Sequence, residues 1–418
     1  MKKLVSLLLA LTMIVSCTAA MAAEDGKITI WTWDPNFNIA AMKVAKEMYA
    51  KVNPDVEVII EEVLSEDIET RVITAASAGD ISNLPDIMLC QDNSFQKMVM
   101  NYPMVYADLT GKYDYEGFPA GKLAYSTVNG QNHGIPFDAG TVVATYRTDF
   151  LEQAGYTIAD LTDIDWNRFI EIGKDVKAKT GLPMLTGQAG SIDTVLMMMQ
   201  SVGASMFNED GSVNFVNNDA VKAVLELYKT MCLEGIFVEV NTWDEYCGTL
   251  ANNSCVGTIN GCWILGTIMG VPENSGKWAL TNMPKMPGFE NATNHSNNGG
   301  SSWALVNGTD IDLALDFMKM YRNVDFYNTI LPTTSAIGTW AGAKEGSNYT
   351  AGNDYYSGDA IFAKIVEFTA QVPANQTGAF YYDARNALGT ATTNYMLGGD
   401  LMTELEAAES EINFTMGF

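Results

Sequence analysis

Several residues combine an aromatic ring or carboxamide with a carboxylate where an apolar run stops. "KITIWTW" is followed by Asp34, directly after Trp33, and "PDIMLC" is followed by Gln91, Asp92 and Asn93. Asp138 stands in the β-prone "IPFDAGTVVATYR", Trp263 closes "VGTINGCW", and Trp243, Trp303, Trp340 and Tyr382 complete the set. Such rings can stack on the apolar C–H faces of a sugar, while Asp, Asn, Arg and backbone groups take its hydroxyls. Catalytic constellations are harder to assemble. The chain has two histidines, His133 and His295, and no H-E-x-x-H, G-x-S-x-G, P-loop or dinucleotide fingerprint. A two-carboxylate mechanism stays open, because 50 residues are Asp or Glu, although most of these belong to a solvated surface.

Each ring has a plainer use. Trp31 is expected to pack, since Trp33 lies nearer the strand end, and Trp166 and Trp278 read as core. Trp243, in "NTWDEY", divides evenly between a cleft loop and a helix start. Trp303 stands in a crossing strand, where a core role has equal weight. Asp383 could cap the final helices.

The elements that must hold these groups alternate. A strand at Lys27–Trp33 precedes helical periodicity from Ile39 to Val52, stopped by Asn53-Pro54; a second strand, Val56–Ile60, precedes a helix from Ser65 to Gly79. The third strand is Pro85–Cys90. This βαβαβ rhythm predicts a mostly parallel sheet covered on both faces, with ligands beyond the carboxyl ends of its strands. Trp33-Asp34 and Asp92-Asn93 occupy two such ends. The segments His133–Gly155 and Asn297–Gly308 read as crossings between lobes. Further helices are expected at Trp166–Lys179, Ile192–Val202 and Ala220–Glu234, with an Asp-Gly hairpin at Phe207–Phe215 and a helical tail from Tyr382.

The chain is 418 residues long, 18% charged and 47% apolar, with a formal net charge of −26. Two lobes are the default at this length. The acidity disfavours nucleic acid and anionic lipid as main partners. Lys2 and Lys3 precede an apolar run, Leu4 to Val15, that suits a signal peptide and is too short to be a permanent membrane span. Beyond Cys17 there are five cysteines, Cys90, Cys232, Cys247, Cys255 and Cys262, so at least one thiol stays free. They read as small buried groups, with one pair allowed among Cys247, Cys255 and Cys262.

Six stretches in order resemble the sugar-binding family of bacterial ABC-importer solute-binding proteins, the family similar to maltose-binding protein. "ITIWTW" resembles its first strand. "IPFDAGTVVATYRTDFLEQAG" resembles its hinge strand and following helix, with Tyr146, Asp149, Phe150, Ala154 and Gly155 keeping the pattern and Arg147 replacing a common Asn. "GTINGCW", "GGSSWALVNGT", "LPTTSAI" and "YMLGGDLMTELEAAESEIN" match later segments in the same order. The resemblance implies an α/β fold of two periplasmic-binding-protein-like lobes, each a mostly parallel sheet flanked by helices and joined by hinge crossings. Its expected parts are a leader and linker at 1–26, a first lobe of 27–138 and 298–333, and a second lobe of 139–297 and 334–418. It implies a monomer that closes on an oligosaccharide and presents it to an ABC permease, with no catalysis and no cofactor.

At the leader, "IVSC" resembles a lipobox, with Ile14 in place of the usual Leu and Ser16 in place of Gly or Ala; Cys17 would then carry the lipid and anchor the protein at the cell surface. "AMA", Ala20 to Ala22, offers the other exit, giving a periplasmic or secreted soluble form. The alternatives to sugar capture are a binding protein for a cationic solute such as a polyamine, and a secreted glycoside hydrolase.

Overall fold

A computed structural model describes residues 26–208, 210–373 and 378–417. The leader and Cys17 lie outside the described residues. The first lobe begins as expected. Strand β1 (Lys27–Thr32) runs parallel to β2 (Glu57–Glu62) and to β3 (Ile87–Gln91), with helices α1 (Asn38–Ala50) and α2 (Ser65–Ala78) as crossovers. Helix α2 ends at Gly79, whose left-handed φ of 68° costs a glycine little. Helix α3 (Asp92–Asn101) starts directly at the end of β3.

Strand β4 (Gly134–Arg147) then leaves this lobe. The segment beyond it holds α4 (Trp166–Thr180), β5 (Leu185–Gln188), α5 (Asp193–Gln200), α6 (Asp219–Leu233), β6 (Phe237–Val240), α7 (Trp243–Ala251), β7 (Gly257–Gly261), α8 (Ile264–Met269) and β8 (Trp278–Thr281); α4, α5 and α6 bury the second core, whereas buried residues of α7, α8 and β8 join the first. Strand β9 (Asn297–Leu305) returns to the first lobe, followed by α9 (Val324–Thr334) and α10 (Ile361–Thr369). The chain closes with α11 (Tyr381–Met396) and α12 (Leu401–Met416). Around the Asp-Gly turn, Asn208 N–H donates to Ser212 O at 2.8 Å and Gly211 has φ 87°, as a tight turn requires.

The expectation of mostly parallel sheets needs one correction. Among the strands of the described residues, parallel pairing joins β1 with β2 and β3, and β5 with β6. The crossing strands run antiparallel: β9 against both β3 and β4, and the far half of β4 against β7 and β8. The seven strands of the main sheet therefore continue from one lobe into the other, in the order β8-β4-β9-β3-β1-β2 with β7 on β4. A chain that passes between lobes and comes straight back must lie antiparallel to itself.

Apolar burial divides into clusters. Ile28, Ile30, Met42, Leu89, Phe317 and Tyr321 centre the first, with Trp31, Ile68, Val72, Met88 and Phe95 on the other face of the same sheet. Val142, Trp166, Phe169, Met198, Val224 and Leu388 centre the second lobe. Residues Ala336, Tyr349, Tyr356 and Ile365 pack with the first cluster and alongside Trp278 and Leu280, so this stretch bridges the lobes.

Three crossings meet at one place. Ala139 N–H donates to Ile337 O at 3.1 Å, Asp138 bridges to Gly338, and β9 shifts register at Gly300 and again after Ser301. Gly299 and Gly300 carry φ of 81° and 120°. A Cβ on Gly140 would stand 2.2 Å from Asn298 O, so two backbones touch here where no side chain fits.

The five cysteines are all free, and the pair allowed among Cys247, Cys255 and Cys262 does not form. Their partners explain it. Cys255 Sγ sits between the Thr186 and Thr249 hydroxyls, at 3.7 and 3.8 Å, whereas Cys262 Sγ faces Ala139 O at 3.4 Å. Among the described residues no helix is long and apolar enough to cross a membrane, and no His/Cys/Asp/Glu group could hold a metal ion.

Candidate functional site between the lobes

The two opening tryptophans divide. Trp31 is buried; its Nε1–H donates to Glu61 Oε2 at 2.8 Å, and the Arg71 guanidinium lies 4.9 Å from its ring centroid. Trp33 is half-buried at the strand end. The turn there is fixed by buried Asn38, whose Oδ1 accepts from Thr32 Oγ1 at 2.6 Å, Asp34 N at 2.9 Å and Trp33 N at 3.2 Å. One carboxamide thus satisfies two backbone donors that the strand leaves unpaired. Asp34 Oδ1 accepts from Asn36 N at 2.8 Å. Burial still raises the Asp34 carboxyl above the ordinary range; backbone donors at Asn36 and Phe37 oppose this and Glu62 adds to it.

Asp34 faces the second lobe. Burial first, then the charges of Asp34 and Asp244, push the Cys247 thiol on α7 up to about 11. Behind α7 lies a pocket at the carboxyl ends of β5 and β7, lined by Gln188, Asp193, Trp243, Tyr246 and Asn260 and floored by Met197 and Phe237. Its rim is strained: Ile192, which is β-branched, has φ 50° immediately before Asp193. Trp243 is 38% exposed, and its ring centroid lies 5.5 Å from that of Trp263. The far wall is tied to the hinge. Asn260 donates to Tyr246 OH at 3.1 Å and accepts from Asn298 Nδ2 at 2.8 Å, while Trp263 Nε1–H donates to Asn298 O at 3.0 Å.

Other expected site residues serve the frame. Asp92 and Asp138 are buried, with Lys122 between the first lobe and the crossings. Asp138 Oδ1 accepts from Ser301 N at 2.9 Å and Ser301 Oγ at 2.6 Å. Asp92 Oδ1 accepts from Ser302 Oγ at 2.8 Å, its other oxygen pairs with Lys122, and Lys122 Nζ also donates to Ser301 O at 2.9 Å. Burial raises both carboxyls and the Lys122 ammonium opposes that rise. These acids are hydrogen-bonded within the protein and brace β9 against β3 and β4. Trp303 is fully buried between Phe137 and Tyr321, at centroid distances of 5.9 and 5.8 Å, which makes it core. Trp340 is half-buried over Gly117 and 5.6 Å from the Arg322 guanidinium. Asn93 is half-buried in the first turn of α3. Tyr382 lies on the first turn of α11, where its hydroxyl bonds Gln91 Oε1; Asp383 pairs with Lys97 at 2.6 Å and accepts no capping bond.

Residues 44–355 match the family of bacterial extracellular solute-binding proteins. The chain is 39% identical to a lactose-binding protein of Rhizobium radiobacter, over 94% of this chain and 92% of that one. It belongs to the bacterial extracellular solute-binding protein family. An arabinooligosaccharide-binding protein of Bacillus subtilis is 22% identical over 88% of each chain. Among solved structures, an ABC transporter associated binding protein of B. animalis subsp. lactis, in complex with β-1,6-galactobiose, superposes with a TM-score of 0.78 at 21% identity, covering 93% and 96% of the two chains. Maltose-bound MalE3 of T. maritima gives 0.76 at 17% identity, covering 93% and 99%. These likenesses show the two-lobed solute-binding fold.

In this solute-binding protein the site therefore joins parts that sequence reasoning named with parts it missed. Trp243 and Trp263 pack on each other, the Asp34 charge reaches Cys247 on α7, and Trp33 stays with the first-lobe clusters. Asn38, Lys122, Gln188, Asp193, Tyr246, Asn260 and Arg385 were not singled out. Of these, Asn260 lies inside the quoted "GTING" and Asp193 follows the Gly-rich "GQAGSI", so loop position at a strand end was an available cue.

Proposed function

We propose that this protein captures a disaccharide or short oligosaccharide between its lobes and delivers it to the permease of an ABC importer. The observation that carries the reading is the pocket wall of Trp243 and Tyr246, with Trp263 packed on Trp243, beside the polar groups of Gln188, Asp193 and Asn260. Apolar ring faces with a few convergent polar groups suit a sugar better than a compact ion. The names of the relatives point the same way: lactose and arabinooligosaccharides are the ligands named for the two described above.

Calorimetric titration with lactose, followed by a thermal-shift panel of other di- and trisaccharides, tests the proposal. Saturable binding of a sugar, with a rise in melting temperature from mass action, is expected. Tight spermidine binding with no sugar binding overturns it. We further propose that the protein acts as a monomer held at the membrane by lipid on Cys17, with cleavage after Ala22 as the alternative route.

A further inference from the structure

The first turn of α11 makes contacts that no single lobe needs. Ala384, Ala387 and Leu388 bury this helix in the second-lobe core, whereas Phe95 and Met98 bury α3 in the first lobe. Between the two helices, Lys97 Nζ meets Asp383 Oδ2 at 2.6 Å, with side chains 34% and 29% exposed, and the Tyr382 hydroxyl bonds Gln91 Oε1. One turn further on, Arg385 Nη2 donates to Asp193 Oδ1 at 2.6 Å. Asp193 belongs to the pocket lining, and the Arg385 guanidinium lies 5.7 Å from the Tyr382 ring centroid.

We propose that residues 382–385 form a latch, in which Tyr382 and Asp383 grip Gln91 and Lys97 of the opposite lobe while Arg385 holds the pocket carboxylate of Asp193. The proposal rests on the sugar-capture reading of the same cleft. The cross-lobe pairs exist only while the lobes stand together, so they stabilise the closed form selectively. Ligand that requires this form gains apparent affinity in proportion to its population. Lys97 and Asp383 lie outside the pocket lining, so they would set affinity through closure and slow release. Arg385 is a positioning residue: it orients Asp193 from behind and ties the pocket rim to the gripping turn.

The test compares wild type with Lys97→Ala, Asp383→Asn and the exchange Lys97→Asp/Asp383→Lys. Sugar affinity and dissociation rate are read by titration and stopped flow, and the radius of gyration by X-ray scattering with and without sugar. Each single variant is expected to weaken affinity about two- to fivefold, as a half-exposed ion pair allows, mostly through faster release. The exchange should recover most of the loss, and added salt should weaken wild type more than the single variants. A ligand-free melting temperature that stays within a few degrees separates this effect from simple destabilisation. Unchanged affinity and release in both single variants overturn the latch, as does an exchange that is no better than they are. If wild type binds no sugar, the functional reading falls separately. The latch is then decided by scattering without ligand: expansion in the single variants, reversed by the exchange, supports it, and identical radii overturn it.

Discussion

The indole rings of Trp243 and Trp263 stand 5.5 Å apart at an interplanar angle of 47°, one on the rim of the second-lobe pocket and the other bonded to a crossing strand. Trp243→Ala removes a partly exposed ring. It should weaken sugar binding by about one to two decades, corresponding to roughly 1–3 kcal/mol, while the ligand-free melting temperature barely moves. Trp263→Ala should lower both, because it also deletes the bond to Asn298 O and leaves a void against the first core. Titration and calorimetry on the two variants check the split; equal melting temperatures would contradict it.

Asp34 gives the site a pH signature. Its folded pKa is raised by burial above that of a free aspartate, so its contribution to folding stability is present below the free-aspartate pKa and is lost as pH rises through the folded one. On the sugar-capture reading Asp34 accepts from a sugar hydroxyl, and the ionised carboxylate accepts more strongly than the protonated acid. Affinity should therefore fall on acidification at a pH higher than an ordinary aspartate would require, even as this group's contribution to stability grows. Asp34→Asn should flatten that part of the affinity profile measured across acid pH.

The buried network at the crossings is a stability element. Asp92→Ala leaves the Lys122 ammonium without its direct partner and should cost about 3–5 kcal/mol in denaturant unfolding. Lys122→Met leaves Asp92 and Asp138 buried without a cation. Burial raises both carboxyls above the ordinary carboxylate range and the Lys122 ammonium opposes that rise, so its loss should raise them further. The Lys122→Met deficit should accordingly shrink as pH is lowered through their raised pKa values. A deficit independent of pH would assign its cause to packing.

Fractionation addresses the anchor. Cys17→Ala should move the protein from the membrane fraction into the soluble fraction. Unchanged membrane association in the variant would speak against lipid attachment, and a wild-type protein already in the soluble fraction would favour cleavage after Ala22.

What the sequence disclosed follows the range of each interaction. The βαβαβ start was legible because strand and helix periodicities are local, and Trp31 separated from Trp33 because the strand ends at Thr32, which leaves Trp31 inside it and Trp33 just beyond. Asp92 was read at a strand end and Asp138 within a crossing strand, yet their neighbours were not legible. Lys122 and Ser301 reach them from 30 and 163 residues away, turning exposed-looking acids into buried braces. Trp303 illustrates the same limit: a crossing strand has a cleft side and a core side, and Phe137 with Tyr321 claims this ring for the core. Arg385 and Asp193, 192 residues apart, carried no local mark at all.

The unpaired cysteines carry a practical consequence. Cys90, Cys255 and Cys262 are buried and their thiols are raised by desolvation, so alkylating reagents meet little reactive thiolate in the intact fold. Cys262 lies against Ala139 O, at the place where the crossings meet. Its rate of modification is then a clock for how often the pivot itself comes apart, as distinct from how often the lobes swing. Mass spectrometry of an unmutated sample, with and without sugar, could read that clock at each thiol separately.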